Sequence, residues 1–210
     1  MTLEIRLDRD LAAQGVSAPK PAQAKLIAYL HLLEHWNRHF NLTAVREVEQ
    51  MLPRHLLDSL SALPYLAGRS ILDIGTGAGL PGLPLAIVCT DRQFTLLDSN
   101  GKKTRFLRQV VHELDLRNVA VHQERVEAFS PDAKFDTLIA RAFAALPDML
   151  GRCAHLMEPG TRFVAMKGVL PASELSALPP GFKVTTVAPI RVPGLDAERH
   201  IVVVQREQND

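Results

Sequence analysis

Ahead of residue 66, apolar residues recur every three or four positions. Between Pro21 and Phe40, the residues Leu26, Leu30, Leu33, Trp36 and Phe40 share one side of a 3.6-residue period, which predicts a helix burying one stripe. Pro19 and Pro21 mark its start, where a missing amide is not needed. After Asn41-Leu42-Thr43, the segment EVEQMLPRHLLDSLSALPYL predicts two more short helices, broken at Pro53 and Pro64. From Ser70 the period changes. SILDI, QFTLLD, NVAVHQ, FDTLIA and TRFVAMKG read as strands, and the pieces between them are long enough for crossover helices. Near the C-terminus, FKVTTVAPIRV and ERHIVVVQ flank the turn-like Pro193-Gly194-Leu195-Asp196 and predict an antiparallel hairpin closing the sheet edge. The pattern predicts an α/β fold: a doubly wound, mostly parallel sheet over residues 67–210, packed as one compact unit behind a helical extension over residues 1–66.

Composition narrows this picture without assigning a function. Hydrophobic residues make up 47% of the 210 positions and charged residues 22%, as expected of a packed globular chain. No apolar run reaches the roughly 18 residues of a membrane span, and the opening MTLEIRLDRD is charged where a secretory leader is apolar. The expectation is a cytoplasmic protein with no membrane partner, and a monomer by default. Cys89 and Cys153 lack the paired spacing of a zinc site or disulfide framework, so no metal is expected. A net charge of +1 argues against bulk electrostatic binding of DNA or RNA and leaves only local patches.

One stretch carries chemistry. In ILDIGTGAGLPGLP, residues 71–84, a strand runs into a glycine-dense loop and Pro81 can begin the next helix. Gly77-Ala78-Gly79-Leu80-Pro81-Gly82 formally matches the dinucleotide pattern G-x-G-x-x-G, with Asp98 about twenty residues on. That reading implies an NAD-dependent dehydrogenase. A second pattern starts earlier, as Asp73-x-Gly75-x-Gly77-x-Gly79. Asp73 would repel a pyrophosphate but accept a hydrogen bond from an ammonium group or hold a loop amide. S-adenosylmethionine has an amino group, a sulfonium and no phosphate. Asp98 is placed to accept both ribose hydroxyls, or to cap the helix that GKKTRFLRQVV predicts. Glu127, in ERVEAF after the third strand, is placed for the adenine edge, or is an exposed acid at a helix start.

Taken together, ILDIGTGAGLPGLP, FTLLDSNGKKTRFL, ERVEAF, FDTLIARAFA and the upstream NLTAVREVEQMLPRHLLDSL resemble the bacterial small-subunit ribosomal RNA (guanine-N(7))-methyltransferases, once called glucose-inhibited division protein B. The likeness runs from about Asn41 to the final ERHIVVV. It implies a seven-stranded methyltransferase sheet, S-adenosylmethionine as cofactor, and one guanine in the 530 loop of 16S ribosomal RNA as target, in the small ribosomal subunit. Matched position by position, it implies cofactor contacts from Gly75, Leu80, Val126 with Glu127, and Arg141.

Methyl transfer from a sulfonium is an in-line displacement, so positioning dominates. Ring nitrogen 7 of guanine has a free lone pair and no proton, and needs no general base. After FDTLI the chain reads Ala140-Arg141-Ala142-Phe143, without the Asn-Pro-Pro-Tyr type motif of exocyclic-amine methyltransferases. Arg141 could pair with the methionine carboxylate or a target phosphate, or form a structural ion pair with Asp73 or Glu127. Phe143 could stack on the flipped base or belong to the core. Lys102, Lys103, Arg105 and Arg108 put four cations within seven residues for RNA phosphates, unless they are a solvated helix face. Arg54 with His55, Lys167, and Arg199 with His200 are further RNA candidates. Two other functions fit the same residues: a methyltransferase acting on a small metabolite, and a non-catalytic RNA-binding assembly factor.

Overall fold

A computed structural model describes residues 2–141, 144–170 and 172–207. Two helices lead the chain, α1 (Leu3–Ala13) and α2 (Lys20–Phe40). α2 starts behind an extended Pro19, ends where Asn41 turns left-handed at φ 49°, and buries Leu26, Leu30 and Leu33 fully. Trp36 is half-buried between Phe40 and Phe106, at ring distances of 5.1 and 5.6 Å. α3 (Val48–Met51) continues through a π-helical stretch, Leu52–Leu57, into α4 (Asp58–Leu60). Pro53 therefore does not break this helix as the sequence pattern predicts: the wider π turn carries a residue that has no amide to donate. Pro64 does mark an end, inside the 3-10 turn Leu63–Tyr65.

The sheet follows as β1 (Ser70–Ile74), β2 (Gln93–Leu97), β3 (Val119–His122), β4 (Thr137–Arg141), β5 (Arg162–Lys167), β6 (Phe182–Pro189) and β7 (His200–Arg206). The strand order is β3-β2-β1-β4-β5-β7-β6. The first five strands are parallel, and β7 runs antiparallel between β5 and β6, as the predicted hairpin requires. Helices α5 (Gly82–Val88), α6 (Gly101–Glu113), α7 (Leu146–Cys153) and α8 (Ala172–Leu175) connect strands. The β3-to-β4 connection, residues 123–136, is the exception: it holds no helix. It includes Pro131, and its Val126, Phe129 and Phe135 are buried against the sheet with no helical period to share.

Alternation along the strands divides the core in two. Ile71, Phe94, Leu96, Ile139 and Val164 pack with α2, α5, α6 and the π-helical segment, whereas Leu72, Ile74, Leu138 and Phe163 pack with α7. The N-terminal helices thus share one core with the sheet. Their closest tie to the glycine loop is the buried Tyr29 hydroxyl, which donates to the Ala78 carbonyl at 2.8 Å. Among the described residues no helix is long and apolar enough to cross a membrane.

Candidate functional site

The order β2-β1-β4 reverses the direction in which strands are added, and the chain leaving β1 turns into open space there. The amides of Gly75 and Thr76 bond the Leu97 carbonyl at 2.8 and 3.1 Å, pinning the loop to the end of β2. Gly77, at φ 62°, faces that space: a Cβ there would meet nothing nearer than 3.9 Å, so the left-handed backbone is what demands glycine. Gly82 serves packing. Its Cβ would come within 2.3 Å of Leu96 and 2.7 Å of the Asp73 carboxylate. Pro81 stands just ahead of α5, at its cap position.

Asp73 is fully buried and holds the loop together. Its Oδ2 accepts from the Thr76 hydroxyl at 2.5 Å and the Gly82 amide at 2.8 Å. Burial pushes its pKa up to about 6, against the bonds from Thr76 and Gly82 and the charge of Arg141. Its Oδ1 has no partner among the described residues. Asp98 accepts from the Gly77 amide at 2.9 Å and the Asn100 amide at 2.8 Å, with the Lys103 ammonium 3.9 Å away. The cap of α6 falls instead to Asn100, whose side chain accepts from the amides of Lys102 and Lys103.

Gly75, Asp98, Asn100, Lys103, Val126 and Glu127 line one cleft of about 300 Å³. Lys103 therefore belongs to this cleft rather than to the open helix face. Leu80 is buried behind the loop, and Gly79 packs against Leu83 and Leu107. Glu127 pairs with Arg152 at 3.1 Å, both half-exposed at the rim.

Arg141, at the end of β4, pairs with neither Asp73 nor Glu127. It donates to Asp58 at 3.1 Å and to the Arg54 carbonyl at 3.2 Å. The second Asp58 oxygen accepts from Nε of Arg199 at 2.8 Å. His55 is buried, with Nε2 2.8 Å from the Thr43 hydroxyl, and burial together with Arg141 pulls its pKa down to about 4. It is a neutral interior residue, which corrects its expected place on an RNA-facing surface. Lys167 donates to the Ala144 carbonyl at 2.9 Å and Glu174 at 2.7 Å, and a ring nitrogen of His200 lies 2.8 Å from the Gly168 carbonyl. Arg54 is exposed. Lys102, Arg105 and Arg108 are exposed along α6, border an open groove with Gln109 and His112, and form no ion pair among the described residues. Phe143 lies outside the described residues.

Sequence patterns miss Tyr29, Asp58 and Arg152. For Asp58 a signal exists: it is the one charge inside the apolar run Leu56-Leu57-Asp58-Ser59-Leu60, and a buried carboxylate needs a partner.

The chain is similar to known proteins. A family model described as rRNA small subunit methyltransferase G (GidB) matches residues 22–202. The ribosomal RNA small subunit methyltransferase G of Photorhabdus laumondii is 51% identical over 201 residues, 95% of this chain and 98% of that one. Its counterpart from Salmonella typhi is 50% identical over 200 residues, 95% and 97% of the two chains. Among solved structures, a glycopeptide N-methyltransferase complexed with S-adenosyl-L-homocysteine superposes with a TM-score of 0.61 at 13% identity, covering 73% of this chain and 87% of that one. TrmN from Thermus thermophilus superposes with a TM-score of 0.54 at 19% identity over 81% and 53% of the two chains, and both likenesses describe the fold. With the family model spanning most of the chain and half the residues identical to its relatives, the chain belongs to the rRNA small subunit methyltransferase G family.

Proposed function

We propose that this protein transfers a methyl group from S-adenosylmethionine to ring nitrogen 7 of a guanine in the 530 loop of 16S ribosomal RNA, acting as a cytoplasmic monomer on the small ribosomal subunit. The observation that carries this reading is the cleft between the glycine loop and Asp98. About 300 Å³ suits a nucleoside-sized ligand. The Asp98 carboxylate already accepts two amides and retains lone pairs for ribose hydroxyls. The Asp73 carboxylate, buried behind the loop, disfavours a diphosphate in front of it. The residues present therefore fit the cofactor.

When bound, S-adenosylmethionine supplies an electrophilic methyl group on a sulfonium. Gly75, Gly77 and Gly79 give the loop its close approach, with Asp73 and Leu80 supporting it from behind. Val126 and Glu127 line the same cleft and would hold the adenine, with Glu127 turned by Arg152. No side chain is asked to remove a proton, because the attacking ring nitrogen carries none. Methylation leaves the purine cationic, so a bare arginine beside it would oppose the reaction. Arg141 is not bare, because it shares the Asp58 carboxylate with Arg199. Lys102, Arg105 and Arg108, exposed on α6 and without an ion pair among the described residues, would meet RNA phosphates.

Tritiated S-adenosylmethionine incubated with purified small subunits tests the reading. Label in 16S RNA, with strand cleavage specific for 7-methylguanosine in the 530 loop, is the expected outcome. Unlabelled RNA, or label without that cleavage, contradicts it.

A further inference from the structure

We infer that Asp58 is a positioning residue that holds Arg141 and Arg199 as a two-arginine clamp for one oxyanion at the end of the sheet. Arg141 ends β4, and Arg199 immediately precedes β7, which runs antiparallel to β5, so both guanidinium groups reach the same edge as the glycine loop. One buried carboxylate lies between them, at 3.1 Å from Arg141 and 2.8 Å from Arg199. Asp58 is 4% exposed, whereas Arg141 and Arg199 are 21% and 27% exposed, so the carboxylate is sealed while both arginines keep an open side.

Donor use points the same way. Arg141 engages only one of its terminal nitrogens, with Asp58 and the Arg54 carbonyl. Arg199 engages Nε with Asp58 and one terminal nitrogen with the Glu198 carbonyl. The remaining guanidinium donors make no hydrogen bond among the described residues. His55 is neutral here, so two positive charges face one negative charge and the cluster keeps a net charge of +1. A purely structural ion pair needs one arginine. Two that share a carboxylate, with free donors at the open side, form a fork whose geometry matches the paired oxygens of a phosphate or carboxylate. Asp58 comes from the helix that follows the π-helical segment, so the N-terminal helices set the angle of both arginines.

The oxyanion has two sources, a phosphodiester of the RNA or the methionine carboxylate of the cofactor, and the clamp rests on the methyl-transfer reading above. Asp58→Asn and Arg199→Lys, singly and together, separate the cases. Asp58→Asn keeps the shape and removes the charge, and Arg199→Lys keeps the charge and removes the fork. For each, thermal unfolding, S-adenosylhomocysteine affinity by calorimetry, and kcat and KM for small subunits are measured well below the melting temperature. With a phosphodiester in the clamp, both single variants raise KM about tenfold or more, change kcat less, and bind S-adenosylhomocysteine within about twofold of the parent, and the double variant is no worse than the worse single. With the cofactor carboxylate in the clamp, the tenfold loss falls on S-adenosylhomocysteine affinity instead. Both patterns support the clamp. It is overturned if folded Asp58→Asn keeps both constants within twofold, or if the two losses multiply in the double variant. Should Asp58→Asn fail to fold, Arg199→Lys decides alone, and unchanged KM and affinity there overturn the clamp. A parent protein that transfers no label to the subunit sinks the methyl-transfer reading instead, and the calorimetric arm still judges the clamp.

Discussion

Lys102, Arg105 and Arg108 on α6 and Arg141, Lys167 and Arg199 on the far half of the sheet are the same residue types in opposite situations. The α6 cations lie on a helix face with no ion pair among the described residues. The others are held by Asp58, Glu174 and main-chain carbonyls. A charge free to meet a phosphate contributes to affinity and its salt dependence, whereas a charge bound to a buried carboxylate contributes first to geometry and folding and meets an anion only through the donors left open. Net charge counts both alike, which is why a value of +1 conceals an available basic face.

Removing the partner from the bound set has the largest expected effect. Asp58→Ala strands two partly buried arginines and destabilises the fold by about 3–5 kcal/mol in urea unfolding. The triple variant Lys102→Ala, Arg105→Ala, Arg108→Ala changes stability by no more than about 0.5 kcal/mol per site. A loss below about 1 kcal/mol in Asp58→Ala would erase the distinction between the two sets.

Next comes the α6 face itself. In that triple variant, the slope of log affinity for 16S RNA against log salt flattens by roughly two, at about 0.7 per lost phosphate contact. An unaltered slope would return these three residues to the role of a solvated face.

A smaller effect separates buried groups by pH. His55 has its folded pKa lowered to about 4 from 6.5, so its contribution is full above 6.5 and is lost as pH falls toward 4. Asp73, raised to about 6 from 3.8, acts with the opposite sign: its contribution is full below 3.8 and is lost as pH rises through 6. His55→Gln should therefore flatten the acid-side loss of stability seen in denaturant midpoints, and Asp73→Asn should steepen it. The same response from both variants would contradict the buried, neutral state of His55. Smallest of all, Glu127→Gln breaks a half-exposed pair with Arg152 and changes stability by at most about 1 kcal/mol.

How much of this was legible in the sequence follows from distance along the chain. The strands were legible because each is a short apolar run bounded by a turn, and the loop because Gly75, Gly77 and Gly79 all take positive φ. Asp98, proposed for the ribose, was legible because it follows directly on the strand beside that loop. Pro53 was misread, since single-residue rules assume an α turn that the chain widens into a π turn. The clamp was invisible to spacing: Asp58 meets Arg141 from 83 residues away and Arg199 from 141. Tyr29 reads as one more member of a buried stripe, and only its hydroxyl on Ala78 separates it from a leucine.

The central claim is that the cleft at Gly75 and Asp98 is the cofactor site. Titrating S-adenosylhomocysteine into the protein in a calorimeter tests it directly, with Asp98→Ala as the partner experiment. The account predicts one site per chain in the parent and at least about tenfold weaker binding in the variant, from the lost carboxylate bonds. No heat in the folded parent, or equal affinity in both, would contradict it.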